Sequence, residues 1–300
     1  MKPLAVDQSQ AALAQVTLVV VSFNSAHCMP ALGRMLKDCP HVVVVDNGSH
    51  DNSPSVAQSC LPQAQCLSLG NNFGFGVANN KGLERVTTPY ALLLNPDCMI
   101  ETNAIVQLVK AAAQWPEAAM VVPQIMSATQ KRMGNYGWAR THWHAKGPLA
   151  QGPVCVANAS GAVMLLRMSA NPSRQWFDPT FFLYYEDEDL CLGLFQQQQA
   201  IVLEPSIFVT HLNRSSVKGD KPWRLEYLRG YHHARSKILI TAKYFGEPAA
   251  RRHRSTAMLQ ALALLAARVL LLSPRLLCRA AGRVVGLWGA PTAYVALSSR

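Results

Sequence analysis

The chain has little that would build a disulfide framework or a zinc site. Its eight cysteines include no Cys-x-x-Cys pair and follow no regular spacing, although both kinds of site depend on such patterns. Only 15% of the 300 residues are charged and 50% are hydrophobic, which excludes an intrinsically disordered chain. The first apolar run, Val16–Val21, is short and no cleavage site follows it. The sequence therefore predicts a protein of the reducing cytoplasm.

Two common phosphate-binding motifs are also missing. The glycine-rich segment 69–83, LGNNFGFGVANNKGL, matches neither GxGxxG nor GxxxxGK[ST], and this disfavours a dinucleotide-binding or an ATP-binding protein. The segment still opens a predicted helix, whose first backbone N–H groups could face a phosphate. As an isolated glycine pattern it is weak support for any function.

The positive charge is confined to one part of the chain. Residues 206–300 carry 16 Lys and Arg against 3 Asp and Glu, whereas residues 1–205 carry 12 against 14. A basic segment binds nucleic acid or an anionic membrane surface. Here the basic residues flank a Leu- and Ala-rich stretch without a nucleic-acid reading motif. We therefore expect a membrane surface as partner and no nucleic acid.

Short apolar runs alternate with helical patterns over the first 125 residues. Because continuous apolar strands separated by helices are typical of a parallel sheet covered on both faces, we expect an α/β fold with a mostly parallel central sheet. Ligands bind such sheets at the carboxyl ends of the strands. The predicted strands are Val16–Val21, Val42–Val45, Cys66–Ser68, Ala91–Leu94 and Met120–Val122; the predicted helices are Ala31–Lys37, Ser53–Ser59, Val77–Arg85 and Thr102–Gln114.

The rest of the chain reads as a loop, a second α/β block and a helical tail. Residues 135–153 lack periodicity and predict a mobile loop over the site. Further predicted elements are strands Val163–Leu166 and Ile201–Leu203, a helical stretch Glu186–Gln199, and helices Pro222–Phe245 and Arg254–Leu272. We expect a catalytic domain over residues 1–245 and a basic, apolar helical tail over residues 246–300.

Two carboxylates follow predicted strands at the expected ligand edge. Asp46 could accept a hydrogen bond from a pyrimidine ring N–H, although Asp-Asn-Gly is also ordinary turn chemistry. Asp97, behind three leucines and a proline, suits Mg²⁺ or Mn²⁺ together with diphosphate oxygens and water. It lies too far upstream of Thr102 to cap the next helix directly.

The strongest local pattern is FFLYYEDEDL, residues 181–190. An acidic run is usually a solvated face, but this one directly follows five aromatic or apolar residues that must be buried. A partly desolvated carboxylate at such a boundary suits general-base chemistry on a sugar hydroxyl. His211 follows the strand-like run Ile207–Thr210, and as a lone histidine it is either a core residue or a metal ligand.

The order of these segments resembles the family-2 inverting glycosyltransferases of the GT-A fold. The closest likeness is to the bacterial rhamnosyltransferase-like branch that builds surface polysaccharides. It covers roughly residues 16–245 in the family's order. The resembling segments are VVVSFNS, VVVVDNGSHDNS, LGNNFGFGVANNKGL, LLLNPD, ASGAVMLLR, FDPTFFLYYEDEDLC and THLNRSS.

This resemblance implies a role for each candidate residue. Asn24 and Asp46 would contact the ribose and base of the nucleotide. Asp97 and His211 would hold the divalent metal, and Asp187 would be the general base on the acceptor hydroxyl. The remaining candidate substrate contacts are Ser22, Asn72, Gly74, Asn80, Asn95, Gly161, which would sit close to the donor sugar, and Glu186.

The resemblance further implies a nucleotide-sugar donor, with dTDP-L-rhamnose first and a UDP-hexose second. The acceptor would be a glycan or a polyprenyl-diphosphate-linked saccharide. Two departures stand out: Asn95 replaces the first Asp of the family's Asp-x-Asp, and no Arg follows the acidic run closely. An inactive nucleotide-sugar-binding or scaffold protein of the same fold is therefore an alternative. A nucleotidyltransferase is disfavoured, because no basic glycine-rich loop lies near the N-terminus.

The tail predicts peripheral membrane association. Its uncharged stretch Ser255–Ala267 has 13 residues, fewer than the ~20 that span a bilayer. An interfacial helix with arginines at the headgroups fits better, which places the protein at the inner face of the cytoplasmic membrane. The alternative is a helix packed on the protein core or on a second subunit, as in a homodimer.

Overall fold

A computed structural model describes residues 3–140, 143–213, 215–217, 222–271 and 273–296. The described residues group into two compact units. The first contains those of Met1–Phe73, Val77–Trp176 and Leu190–Lys218, and the second contains Gly74–Gly76, Phe177–Asp189 and those of Gly219–Arg300. The domain boundary at residue 245 stays a prediction. The helix Pro222–Leu270 is interrupted at Gly246 (φ 82°), one residue after this predicted boundary.

Strands and helices alternate as the sequence predicts in the first half of the chain. The strands are β1 Val16–Ser22, β2 Val42–Asp46, β3 Gln65–Ser68, β4 Tyr90–Leu94, β5 Cys98–Met99, β6 Ala118–Met126, β7 Tyr136–Arg140, β8 Trp143–Ala145, β9 Val154–Ala159, β10 Val163–Arg167 and β11 Ala200–His211. The helices are α1 Pro3–Leu13, α2 Met29–Leu36, α3 Ser53–Cys60, α4 Phe75–Leu83, α5 Thr102–Gln114, α6 Glu186–Gln196, α7 Pro222–Leu270 and α8 Pro274–Trp288.

One mixed sheet organises the first unit. Its strand order is β3-β2-β1-β4-β10-β6-β11-β9-β7-β8, and β5 pairs with β11. The first four strands are parallel, as expected. Beyond β4 the expectation of a mostly parallel sheet is wrong, because β10 runs antiparallel to both β4 and β6 and only β6 and β11 form another parallel pair. The parallel part places the ends of β1, β2 and β4 at one edge.

Helices cover both faces of the parallel strands. Leu18 and Val20 of β1 belong to the buried cluster that includes apolar residues of α1, α2, α3 and α5. Val19 and Val45 point to the opposite face, where α4 packs so closely that a Cβ on Gly82 would lie 2.4 Å from Cγ1 of Val19. A sheet buried on both faces explains why these strands are apolar throughout.

Three local predictions are corrected. Residues 135–153 were expected to form a mobile loop, but they contain β7 and β8, an antiparallel pair at the end of the sheet. Cys66 in β3 is exposed rather than buried, since β3 is the other edge strand. The runs 201–203 and 207–210 form one strand, β11, with a register irregularity between Glu204 and Phe208.

The second unit is built on α7 and α8. Their backbones approach closely at three glycines: a Cβ on Gly230, Gly282 or Gly286 would lie 2.1, 2.0 or 2.3 Å from a backbone oxygen of the other helix. The residues predicted as helix Arg254–Leu272 form the end of α7, up to Leu270. Among the described residues, no helix combines the length and the apolar character needed to cross a bilayer.

Candidate active site

The ends of β1 and β2 line a small cavity in the first unit. Ser22 and Asp46 are register partners on these neighbouring strands, and both line a cavity of about 70 Å³ together with Ser68. Oδ2 of Asp46 accepts a hydrogen bond from the backbone N–H of Ser49 at 3.2 Å. Oδ1 of Asp46 and Oγ of Ser22 are buried and have no hydrogen-bond partner among the residues that the structure describes. Two unsatisfied polar atoms in one cavity are suited to a polar ligand.

Asn24 holds the end of β1 against the turn after β2. Its Oδ1 accepts a hydrogen bond from the N–H of His50 at 2.8 Å, and its own N–H donates to Oγ of Ser49 at 2.9 Å. Asn24 has a positive φ of 51°, a conformation that Asn tolerates better than most residues. Its contact with a nucleotide stays a prediction.

The glycine-rich segment packs on the same turn. Nδ2 of Asn47 donates to Oδ1 of Asn72 at 3.0 Å, and Oδ1 of Asn47 accepts from the N–H of Phe73 at 2.9 Å. Gly48 has φ +76°, and a Cβ there would lie 2.5 Å from the carbonyl carbon of Asn71. The Asp-Asn-Gly pattern pointed to a turn, but the cross-link made by Asn47 could not be read from it.

Asp97 and His211 come together because β5 pairs with β11. The register places His211 opposite Cys98, next to Asp97. Asp97 is only 2% exposed. Its Oδ2 accepts the backbone N–H groups of Ser215 at 3.0 Å and Ser216 at 3.1 Å. Its Oδ1 lies 3.3 Å from Nε2 of His211 and has no other partner among the described residues.

The surroundings keep Asp97 ionised. Burial by itself would raise the pKa of this carboxyl group, but the hydrogen bond and charge of His211 and the N–H of Ser215 lower it below its usual value. Asp97 is therefore a carboxylate at neutral pH, and one of its oxygens faces an imidazole nitrogen.

Asp97 and His211 fit an octahedral divalent ion. Two ligands at right angles, each about 2.0–2.1 Å from Mg²⁺, are about 3 Å apart, close to the observed 3.3 Å between Oδ1 and Nε2. Cys98 lies in the same group of potential ligands but does not fit. Burial, with the charge of Asp97, raises the pKa of its thiol, and Sγ donates to the carbonyl oxygen of Ala162.

Asp97 also orders the segment that follows β11. The carbonyl oxygen of Asp97 accepts the N–H of Leu212 at 3.0 Å. The carbonyl oxygen of Ser216 accepts a hydrogen bond from Oγ of Ser25 at 2.7 Å, which ties the segment to the end of β1. The segment THLNRSS was recognised in the sequence without a role for its serines, because their contacts with Asp97 join residues more than 100 positions apart.

Three other candidates make contacts with the protein itself. The carboxamide of Asn80 bonds to Oε1 of Gln175 at 3.1 Å and to the N–H of Trp176 at 3.0 Å. The N–H of Asn95 donates to the carbonyl oxygen of Ala162 at 2.9 Å. Gly161 is buried between β9 and β10. The roles of Asn80, Asn95 and Gly161 in substrate binding stay predictions.

In the second unit, a strained segment leads into the acidic run. Tyr184 and Tyr185 both have positive φ, 67° and 69°, which is unusual for bulky residues and often found near functional sites. Of the five preceding aromatic and apolar residues only Phe181 is fully buried; the others are half-buried. Gly74 permits this segment to pack closely, since a Cβ there would lie 2.2 Å from the carbonyl oxygen of Phe182.

The four acids of the run have four different environments. Glu186 is 6% exposed, and burial, with the charge of Asp187, raises its pKa to about 8. Asp187 is half-buried, and its Oδ1 accepts the N–H of Glu188 at 2.9 Å. Burial raises the pKa of Glu188, against the attraction of Lys237. Asp189 is buried and ion-paired.

Lys243 forms ion pairs with Asp178, before the strained segment, and with Asp189, at the end of the acidic run. Its Nζ lies 2.7 Å from Oδ2 of Asp178 and 2.7 Å from Oδ1 of Asp189. The hydroxyl of Tyr244 donates to Asp189 at 2.8 Å, and that of Tyr294 donates to Asp178. The ammonium group also faces three aromatic rings at 5.2–5.6 Å. Lys243 could not be recognised from the sequence, because its carboxylate partners lie 54 and 65 residues away.

The first unit is thus an α/β protein of the class that binds ligands at the carboxyl edge of its sheet. Residues 17–171 match the profile of the family described as Glycosyl transferase family 2. The chain belongs to this family. The predicted family and the predicted enzyme class, a nucleotide-sugar-dependent glycosyltransferase, are thereby confirmed.

Known proteins agree with this membership. The chain is 28% identical over 236 residues, 68% of this chain and 76% of the relative, to the N-acetylglucosaminyl-diphospho-decaprenol L-rhamnosyltransferase of Mycobacterium tuberculosis. It is 24% identical over 194 residues, 61% of this chain and 62% of the relative, to the low-salt glycan biosynthesis hexosyltransferase Agl10 of Haloferax volcanii.

A solved structure agrees with the predicted GT-A type of fold. The mannosyltransferase PcManGT of Pyrobaculum calidifontis, solved with GDP-Man and Mn²⁺, superposes with a TM-score of 0.54 at 14% identity. The match covers 91% of this chain and 86% of that one. The predicted α/β fold with a helical C-terminal region is confirmed.

Replacing Lys243 by Met should destabilise the protein strongly. The change leaves the buried carboxylates of Asp178 and Asp189 without their cation, so we expect the free energy of unfolding to fall by about 3–5 kcal/mol in urea titrations followed by circular dichroism. Adding Asp178→Asn and Asp189→Asn should restore most of the loss. Exposed Lys110→Met is the matched control. A Lys243→Met protein as stable as this control would contradict the assignment.

Glu186 should make stability depend on pH. Its folded pKa lies above the ordinary value of 4.5, so its contribution is complete below about pH 4.5 and is lost as the pH rises to about 8. Each unit of pKa corresponds to about 1.4 kcal/mol. In Glu186→Gln we expect a flatter profile of unfolding free energy across this window, with exposed Glu101→Gln as control. An unchanged profile would show that Glu186 is ionised in the folded protein.

Proposed function

We propose that this glycosyltransferase moves a sugar, with inversion, from a nucleotide sugar to a lipid-linked saccharide with the help of a divalent ion. The pairing of Asp97 with His211 carries the proposal: a buried carboxylate oxygen, without a hydrogen-bond partner among the described residues, lies 3.3 Å from an imidazole nitrogen.

The donor nucleotide would occupy the cavity at the ends of β1 and β2. Oδ1 of Asp46 would accept from the ring N–H of a pyrimidine base, and Oγ of Ser22 would bond beside it; both atoms are buried and unsatisfied. Asn24 and the Asn47–Asn72 cross-link would hold the surrounding turns in place for the ribose.

Asp97 and His211 would hold Mg²⁺ or Mn²⁺. When bound, the ion supplies positive charge that stabilises the nucleoside diphosphate as it leaves. Asp97 is suited to this role because its carboxyl group stays ionised and because hydrogen bonds from Ser215 and Ser216 fix its orientation.

Asp187 would be the general base of the acidic run. The raised pKa keeps Glu186 protonated near neutral pH. Asp189 is committed to Lys243, and Glu188 is attracted by Lys237. Asp187 is half-buried, and its carboxylate would take the proton of an acceptor hydroxyl while that oxygen attacks the anomeric carbon and the diphosphate leaves from the opposite side.

The relative from Mycobacterium tuberculosis supports the choice of substrates. Its name specifies transfer of L-rhamnose to N-acetylglucosaminyl-diphospho-decaprenol. We therefore propose dTDP-L-rhamnose as the first donor to test, followed by UDP-hexoses, and a polyprenyl-diphosphate-linked saccharide as acceptor.

A lipid-linked acceptor would bring the protein to the inner face of the cytoplasmic membrane. Large apolar side chains on and directly after α7 and at the end of α8 are available for such a surface, including Leu259, Leu270, Leu271 and Trp288, which are 67–83% exposed. Residues 246–300 add eight arginines against one acidic residue, and each contributes about 1 kcal/mol near an anionic surface. A homodimer through the same side chains is the alternative.

Asp187→Asn should abolish most turnover without weakening donor binding. General-base catalysis contributes about 10²–10⁴-fold, so we expect kcat to fall by that factor with little change in the KM of the donor. The measurement is release of nucleoside diphosphate from a panel of nucleotide sugars, with Mg²⁺ or Mn²⁺ and with EDTA. Exposed Asp38→Asn is the control.

Two results would count against the proposal. Full activity in Asp187→Asn would remove Asp187 as the base. Silence of the wild-type protein with every donor, even with membrane lipid extract as acceptor, would favour the inactive nucleotide-sugar-binding alternative.

A further inference from the structure

We propose that Lys237 and Arg283 form a binding site for the diphosphate of the lipid-linked acceptor, next to the acidic run. This inference rests on the proposed function, because it assigns the recognition of the acceptor. It concerns a cluster of cations in the second unit, separate from the Asp97–His211 pair of the first unit.

Lys237 and Tyr185 connect the cluster to the acidic run. Nζ of Lys237 lies 4.9 Å from the centre of the Tyr185 ring. The hydroxyl of Tyr185 lies 3.5 Å from Nε2 of His233, one helical turn before Lys237. Tyr185 is only two residues from Asp187. A ligand held at Lys237 would therefore lie beside the proposed base.

The close packing of α7 and α8 brings Arg283 to the same place. A Cβ on Gly230 would lie 2.1 Å from the carbonyl oxygen of Arg279 and 3.0 Å from the backbone nitrogen of Arg283. Residues 230, 233 and 237 follow one another on one side of α7 at spacings of three and four. Glycine at this crossing is thus what lets the arginines of α8 approach His233 and Lys237.

Lys237 and Arg283 are not held in a close ion pair in the part of the chain that the structure describes, and Glu188 attracts Lys237 only from beyond ion-pair distance. Glu226 pairs with Arg229 at 2.8 Å, with Arg275 at 3.2 Å and with Arg279 at 3.8 Å. Within the described ranges, no carboxylate lies at ion-pair distance from Lys237 or Arg283. Arg283 and Lys237 add to the effect of burial in lowering the pKa of His233, as expected where positive charge accumulates.

A diphosphate-linked saccharide fits this arrangement of groups. Its diphosphate is attached to the same sugar that carries the reacting hydroxyl, so a cation site near the base would bind it while Asp187 takes the proton. Arginine matches phosphate oxygens with two parallel N–H donors, and lysine adds a point charge. A free glycan or an alkyl glycoside would gain nothing from these cations.

Direct binding tests the site without any turnover. Farnesyl diphosphate would be titrated calorimetrically into the full chain in EDTA, so that no divalent ion offers the diphosphate a second site. We expect binding at least 10-fold weaker in Arg283→Gln and in Lys237→Gln, and near wild-type binding in Lys237→Arg. Exposed Arg252→Gln removes the same charge from the same unit and should bind normally. Equal binding by all variants would overturn the proposal.

Vesicles distinguish the acceptor diphosphate from a lipid headgroup. On phosphatidylglycerol vesicles, Arg252→Gln and Arg283→Gln should lose affinity to a similar, small extent. Attraction to an anionic surface depends on the number of basic residues near it and not on one particular position. If farnesyl diphosphate were to bind no better than farnesol while both arginine variants bound vesicles more weakly, the cluster would be a membrane contact and the proposal would be wrong.

Kinetics then separate this inference from the proposed function. With N-acetylglucosaminyl-diphospho-farnesol as acceptor, Arg283→Gln should raise the KM of the acceptor at least 10-fold and leave the KM of the donor unchanged. With an octyl N-acetylglucosaminide, wild type and variant should have the same KM. An unchanged KM of Arg283→Gln for the diphosphate acceptor would overturn this inference but not the proposed function. Absence of turnover in the wild-type protein would overturn the proposed function, and the diphosphate site would then be tested by the calorimetric titration alone.

Discussion

The buried carboxylate of Asp97 is the constraint on which the first unit's site depends. The pairing of β5 with β11 brings it to His211, and its two oxygens do different work. One accepts the N–H groups of Ser215 and Ser216 and so orders the segment after β11; the other faces His211. An ionised carboxylate buried this deeply is stable only because donors surround it. The same hydrogen bonds from Ser215 and Ser216 therefore stabilise the charge of Asp97 and order the segment after β11.

The second unit solves a related problem with the acidic run. Four adjacent carboxyl groups would repel one another if all were ionised and buried. The charge of Asp189 is neutralised by Lys243, and Asp189 also accepts a hydrogen bond from Tyr244, whereas the raised pKa of Glu186 keeps that group protonated. Asp187, which lies between them in the sequence, is half-buried. The strained backbone at Tyr184 and Tyr185 lies immediately before α6, which begins at Glu186.

Local sequence patterns predicted those parts of the fold that local physics determines. Strands β1, β2 and β4 are apolar because helices cover both faces, and their polar ends were recognised as the ligand edge. The β7–β8 pair and the exposure of β3 depend on position within the sheet, which no short segment encodes. The same holds for residues such as Lys243, whose partners Asp178 and Asp189 lie 65 and 54 residues away. Asp97 was singled out as a carboxylate next to an apolar run, whereas Asp187 was chosen within its acidic run by the family resemblance, and both roles stay predictions.

Binding of Mn²⁺ in the presence of dTDP or UDP tests the central claim most directly. Titration followed by electron paramagnetic resonance should give one ion per wild-type chain. His211→Gln leaves the bonds of Asp97 to Ser215 and Ser216 in place, so we expect it to bind Mn²⁺ at least 10-fold more weakly for loss of a ligand alone, and Asp97→Asn to bind more weakly still. Exposed His41→Gln should bind normally. Undiminished Mn²⁺ binding by both Asp97→Asn and His211→Gln would contradict the account.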